Sequence, residues 1–294
     1  MNDLPSLLSG YRILDLTDEK GLLCGSILGS LGVDVVKIER PGGDPARNIG
    51  PFYKDTPHPE KSLYWLFCNT NKRGLTLDIT KHDGQDILKK LVAKADFIIE
   101  SFEPGYMQSL GLGYSQLELI NPRIIMTSIT PFGQTGPYAH YKGADMIIWA
   151  LGGLMYLLGF PDRPPVQISV PQSFFQGGLH ASVGSMVAHY HRQLTGEGQW
   201  VDVSIQESII MGLNGAESEW DLIGVNRRRN GSLRTSFRPD KTSISWPRVW
   251  QCKDGHIWFN LGTAGGVTNW ILASTNALIN DMKADGRKKV IILS

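Results

Sequence analysis

The sequence predicts an α/β fold, an open parallel sheet with helices on both faces, followed by the start of a smaller domain. Three observations carry this. Aliphatic strand-like runs alternate with helix-length segments from Tyr11 to Ser204. Glycine, at 33 of 294 residues, exceeds the usual level of about 7%, as tight strand-to-helix turns require. Hydrophobic residues at 41% against 19% charged give the chain enough apolar surface for a real core and exclude a disordered protein.

Tyr11–Leu16 is an aliphatic run closed by Thr17 and Asp18, and reads as a strand. Gly21–Leu31 reads as a helix whose glycines, spaced by four, let it pack closely, and Val33–Ile38 as a second strand ended by Pro41-Gly42-Gly43. This βαβ opening is followed by strand Leu75–Ile79, helix Asp83–Lys94, strand Asp96–Glu100, helix Tyr114–Ile120 and strand Ile124–Thr130. Ser115-Gln-Leu-Glu118 fits a capping box for the last of these helices. Right-handed crossovers place the ligand-binding loops at the carboxyl ends of the strands. Past Pro131 the pattern turns helical, about Ala144–Leu158 and then Gln172–Leu194, before strand Gln199–Ser204 and helix Gln206–Ile223. The uncharged run Met146–Pro161 is shorter than the roughly 20 residues of a membrane span and reads as a buried helix. Val249–Cys252 and His256–Leu261, around Asp254-Gly255, read as a β-hairpin. The expected organisation is a Rossmann-like large domain over 1–225, then a linker and an incomplete small domain over 226–294.

Lys and Arg number 29 against 28 Asp and Glu, so the net charge of +1 offers no field for nucleic acid or an anionic membrane, and neither is expected as a partner. Cys24, Cys68 and Cys252 form no Cys-x-x-Cys pair, which argues against zinc and disulfides and for a reduced, cytoplasmic setting. The amino terminus lacks the basic region of a secretory signal.

Glu39 ends the second strand, where a ribose-binding acid lies in dinucleotide folds, but Gly21, Gly25 and Gly29 do not build the G-x-G-x-x-G turn. His189 and His191 are two apart on a helix and diverge by about 200°, so they read as ordinary histidines and no metal is expected. Arg227-Arg228-Arg229 fits either a phosphate clamp or a solvated loop, and Asn230-Gly231-Ser232 carries no weight as a glycosylation pattern without a secretory signal.

More telling are four glycine and basic segments expected to meet at the sheet edge: 37–47, 69–74, 102–105 and 133–136. Together with the runs GYRILDLT, LGVDVVKIERPGGDPAR, NTNKRGLTLDI, LGLGYSQLELINPRII, TPFGQTGPY and TGEGQWVDVSIQES, they make the sequence resemble the class III CoA-transferase family, which also contains the α-methylacyl-CoA racemases. The resemblance runs from about Gly10 to about Gly262. It implies coenzyme A as the ligand, bound as an acyl-CoA substrate, with a carboxylic acid as second substrate. It also implies that Arg40, Asn71, Lys72, Arg73, Phe102 and Lys142 hold the nucleotide, chemistry that suits the phosphates of CoA. A further basic position falls on Ser109, which removes one phosphate contact.

The family nucleophile is an aspartate that forms a mixed anhydride with the acyl group and then an aspartyl-CoA thioester, which a second carboxylate attacks. Its position in this chain is Phe174, which is no nucleophile. The racemase branch takes an acid/base from a Gly-His-Asp motif, here Gly143-Ala144-Asp145, so Asp145 is the remaining catalytic candidate and equally fits a helix-terminal carboxylate. The small domain and its return segment should follow the hairpin, yet roughly a quarter of a full-length member is missing, and the chain reads as truncated at its carboxyl end. The resulting expectation is a CoA-transferase-like subunit that binds an acyl-CoA, forming a homo- or heterodimer beside a paralogous catalytic subunit, as in the two-subunit benzylsuccinate CoA-transferases. The alternatives are an acyl-CoA isomerase or racemase acting at the α-carbon, or a non-catalytic CoA-binding remnant. Phe174, Phe175, Trp149 and Tyr156 fit an apolar acyl pocket or simple core.

Overall fold

A computed structural model describes residues 6–213, 215–251 and 255–258. The chain divides into two compact units, Met1–Leu154 with Gln167–Gly212, and Met155–Val166 with Leu213–Ser294.

The first unit is built on strands β1 (Arg12–Leu16), β2 (Asp34–Glu39), β3 (Lys72–Thr76), β4 (Phe97–Glu100), β5 (Ile125–Thr130) and β6 (Trp200–Ser204). All pair in parallel, in the order β3-β2-β1-β4-β5-β6. The order reverses between β1 and β4, which opens a crevice at the carboxyl ends of these two strands. Successive residues point to opposite faces, so Ile13, Phe97, Ile99 and Ile125 join one apolar cluster while Leu14, Ile98, Ile124 and Met126 join another. Helices α1 (Leu22–Ser30), α6 (Asp145–Leu151), α8 (Gln172–Thr195) and α9 (Ile205–Ile210) are associated with the first face, and α3 (His82–Val92) and α5 (Tyr114–Ile120) with the second. The sheet is therefore covered on both sides, as the fully buried central strands β4 and β5 require. Short helices α2 (Leu63–Cys68), α4 (Tyr106–Ser109) and α7 (Leu154–Leu157) complete the set up to the unit boundary.

Several expectations are corrected. The third strand starts three residues early, at Lys72, because pairing with β2 and burial of the Lys72 side chain override its polar sequence. No capping box forms on α5: Gly113 is the cap, which puts Ser115 inside the first turn. The uncharged run is not one buried helix, since Gly153 (φ +83°) breaks it and Met146, Ile147 and Tyr156 are exposed. The predicted Gln206–Ile223 helix is also broken, at Met211–Leu213 and at Gly215, which adopts a positive φ as the cap of α10 (Ala216–Ile223).

The close packing expected of the α1 glycines has a specific cause. Gly25 sits over Asp15 and Lys72, and a Cβ there would stand 2.4 Å from Asp15 Oδ2, a carboxylate with nowhere to move. Gly25→Ala is therefore expected to cost about 1–3 kcal/mol in denaturant unfolding, and an unchanged midpoint would contradict this packing.

In the second unit, β7 (Leu233–Phe237) and β8 (Ser243–Pro247) form an antiparallel ribbon that the sequence reading did not include. A second ribbon pairs β9 (Val249–Gln251) with β10 (His256–Trp258) where the hairpin was expected, while Cys252, Asp254 and residues beyond Trp258 lie outside the described residues. Two of the three consecutive arginines are engaged internally. Arg227 donates to Glu219 at 2.8 Å, and Arg229 reaches the carbonyls of Phe160 and Arg163 at 3.2 Å. Arg228 stays exposed, so the segment is not simply a solvated loop.

Candidate functional site

The crevice at the β1/β4 switch point is held together by a reciprocal clamp. The backbone N–H of Asp18, just past β1, donates to Ser101 Oγ at 2.8 Å, and the Ser101 hydroxyl donates back to Asp18 Oδ1 at 2.7 Å. On one side lies a cavity of 380 Å³ whose wall includes Arg40, Asp44, Leu77, Thr80, Phe102 and Tyr106. On the other lies one of 190 Å³ lined by Lys20, Ser101, Phe102, His140 and Lys142, among others. Phe102 belongs to both, and its ring packs 4.9 Å from that of Tyr106. Arg40 is exposed at the rim, just before a turn in which Gly42 and Gly43 take positive φ. Aromatic surface beside separated cations suits a ligand with a flat base and several phosphates.

The predicted nucleotide residues therefore separate. Arg40, Phe102 and Lys142 converge at this edge. Asn71, Lys72 and Arg73 precede or begin β3, and Asn71 and Arg73 stand at the opposite, amino-terminal edge of the parallel sheet. Asn71 forms a left-handed turn at φ +64°, and Arg73 pairs there with Asp34 at 2.6 Å. Lys72 is enclosed: its side chain is 1% exposed and its Nζ contacts Asp15 at 2.7 Å and the Leu22 carbonyl at 2.8 Å. Of the four segments expected at the ligand edge, 69–74 is the one that stays away. Ser109, the missing basic position, spends its hydroxyl on the Tyr106 carbonyl. The residues that sequence reasoning missed are Leu77–Thr80, directly after β3; placing that strand three residues late hid Leu77, Asp78 and Ile79 inside it and left Thr80 just past its end.

Glu39 is equally spoken for. Arg47 grips it with two contacts at 2.7 and 2.8 Å and the Asp44 N–H adds a third, so burial, which alone would raise its carboxyl, is outweighed and the group is held below its usual range. A ribose-binding carboxylate would need those lone pairs free.

Below Phe102 lies Glu100, 3% exposed, whose Oε2 accepts the Phe102 N–H at 2.8 Å. Burial pushes its carboxyl up to about 7 from 4.5, against the opposing pull of Ser128 and the Phe102 N–H. The folded chain thus holds this proton more tightly than the unfolded one. The stability it contributes is complete below about 4.5 and is lost as pH rises through about 7. Thermal melts at pH 5 and pH 8 are expected to show a larger decrease for the parent than for Glu100→Gln; equal decreases would contradict the assignment.

A third cavity, of 300 Å³, opens where α6 and α8 begin. Phe174 lines it and is 8% exposed, joined to the apolar cluster behind. Asp145 lines it too. Its Oδ1 accepts the Ser173 N–H at 2.9 Å and the Ser173 hydroxyl, and its Oδ2 accepts Gln167 Nε2 at 2.7 Å. One helix-terminal carboxylate therefore caps the amino terminus of a different helix, α8, whose own cap residue, Pro171, makes no side-chain bond. Of the other aromatic candidates, Trp149 is core, Phe175 stacks on Tyr64, and Tyr156 belongs to the second unit. His189 is likewise core, with Nδ1 at 2.9 Å from Arg192. Among the described residues no group of three or more His, Cys, Asp or Glu is placed to hold a metal, and no helix is long and apolar enough to cross a membrane.

The family model of CoA-transferase family III matches residues 8–283. The chain belongs to this family. It is 40% identical over 223 residues to subunit BbsE of the succinyl-CoA:(R)-benzylsuccinate CoA-transferase of Thauera aromatica, covering 76% of this chain and 54% of that one. It is 35% identical over 261 residues to the succinyl-CoA–D-citramalate CoA-transferase of Chloroflexus aurantiacus, covering 88% and 62%. The chain thus spans about half to three-fifths of the length of these relatives. Among solved structures it resembles a CAIB/BAIF family protein from Brucella suis, with a TM-score of 0.78 and 29% identity over 98% of this chain and 80% of that one. It also resembles Rv3272 of Mycobacterium tuberculosis, with a TM-score of 0.72 and 27% identity over 92% and 68%. As a family III member it is CoA-transferase-like, and its six-stranded parallel sheet is the α/β fold expected.

Proposed function

We propose that this chain is the CoA-ester-binding member of a two-subunit CoA-transferase, working beside a paralogous subunit that carries the nucleophile. CoA is bound at the β1/β4 crevice through Arg40, Phe102 and Lys142, and the acyl group points to the cavity at Phe174. The observation that carries this reading is Phe174 itself. At the position where the family resemblance calls for an aspartate, an apolar ring lines the cavity and is anchored in the core, and a phenyl group forms no acyl anhydride. Relatives named as subunits of CoA-transferases support the partnership. Asp145 serves as a positioning residue that fixes the start of α8, since Ser173 and Gln167 already engage both of its oxygens.

Mass analysis of CoA exchange between acyl-CoAs and free acids tests this. The chain alone is expected to exchange nothing, and the mixture with a paralogous subunit to exchange. Exchange by the chain alone, with Asp145→Asn abolishing it, would overturn the reading in favour of a shifted nucleophile.

A further inference from the structure

The cavity at Phe174 has a charge pattern that the family assignment does not explain. Its walls are largely apolar, with Ile49, Tyr64, Val170 and Phe174 among them, and its charged groups are two carboxylates, Glu19 and Asp145. Among the described residues lining it there is no Lys, Arg or His. The cation next in sequence, Lys20, lines the neighbouring cavity at Lys142 and pairs there with Asp18.

We infer that this cavity selects acyl groups with an uncharged, apolar tail and rejects those ending in a second carboxylate. The inference rests on the reading of the chain as a binder of CoA esters and goes on to name the acyl class. A thioester acyl group is neutral, so a monoacyl tail brings hydrocarbon alone and gains from contact with the aromatic and aliphatic wall. A dicarboxylic acyl group brings a carboxylate that loses water inside the cavity and meets two like charges with no cation to offset them. Glu19 is already poorly solvated: burial, and then Asp18 outside the cavity, push its carboxyl above its ordinary range, against the opposing pull of Lys20. Tyr64 offers no counter-charge either, because its hydroxyl donates to the Glu19 carbonyl at 3.1 Å. The volume of 300 Å³ leaves room for a phenyl or short alkyl tail.

Butyryl-CoA and succinyl-CoA test this directly, being alike in carbon count and differing in a terminal methyl against a carboxylate. Titration calorimetry of the chain with CoA, butyryl-CoA, 3-phenylpropanoyl-CoA and succinyl-CoA is expected to give about tenfold tighter binding for the two monoacyl esters than for CoA. Succinyl-CoA is expected to bind no more tightly than CoA itself. In Glu19→Gln, an isosteric change that removes one of the two charges, the gap between butyryl-CoA and succinyl-CoA should narrow about threefold or more. Succinyl-CoA binding as tightly as butyryl-CoA to the parent chain would overturn the inference, and so would a gap that Glu19→Gln leaves untouched. Failure of CoA and every ester to bind would overturn the underlying reading, an outcome distinct from uniform binding of all four.

Discussion

Replacing Lys72 by methionine is expected to cost the fold about 3–5 kcal/mol while leaving CoA affinity nearly unchanged. Asp15 is fully buried, and Lys72 is its closest counter-charge, at 2.7 Å; Lys37 stands farther off, at 4.0 Å from the other oxygen. Burial alone would raise the Asp15 carboxyl, but Lys72 and then Lys37 outweigh it, and the group is held below its ordinary 3.8. The stabilisation is therefore present above that value and is lost as pH falls through the lower folded one. Methionine keeps the aliphatic stem but leaves a carboxylate without its main partner. A loss of this size lowers the melting temperature by about 10 °C in a chain of this length. The double variant Asp15→Asn, Lys72→Met removes both charges and should recover much of it. A parent-like melt with weakened CoA binding would instead place Lys72 on the ligand, as the family resemblance implies.

The opposite pairing of effects is expected at Arg40. Its guanidinium is exposed at the rim of the 380 Å³ cavity, with a long contact of 3.4 Å to the Gly43 carbonyl, so the fold depends on it little. Arg40→Ala should change stability by less than about 0.5 kcal/mol. A charge-assisted contact to phosphate contributes about 1.5–3 kcal/mol, so CoA affinity should fall about tenfold to a hundredfold. The deficit should shrink as salt is raised, because an exposed cation and a phosphate are screened. Titration calorimetry at low and high ionic strength measures both effects. Unchanged affinity at low salt would remove Arg40 from the site.

These two residues also mark what the sequence made legible. Strand and helix alternation was readable because parallel strands buried on both faces carry few charges, as in the fully buried Ile125–Thr130, and right-handed crossovers put the loops that follow them at one edge. Arg40 and Phe102 were named from the family resemblance, and they share one edge of the sheet because Arg40 directly follows β2 and Phe102 comes two residues after β4, at the carboxyl ends of parallel strands. Lys72 was not, because whether a lysine meets solvent or a carboxylate fifty-seven residues away is a property of tertiary packing. The same ambiguity shifted β3, whose opening Lys72-Arg73-Gly74 has no apolar period to reveal it. Asp145 was visible as a helix-terminal acid, but its partner helix was not, since Ser173 lies 28 residues on. Gly215 marked a break inside a long helical pattern, and its positive φ was the missing information.

The proposed function places an acyl-CoA at the β1/β4 crevice of a chain with no nucleophile at position 174. Intact-protein mass spectrometry after incubation with an acyl-CoA tests it most directly, read once under native conditions and once after denaturation. A CoA-bound mass is expected in the native spectrum, and the unmodified chain mass after denaturation. A covalent acyl or CoA adduct that survives denaturation would contradict it, and mapping that adduct by peptide digestion would identify the nucleophile.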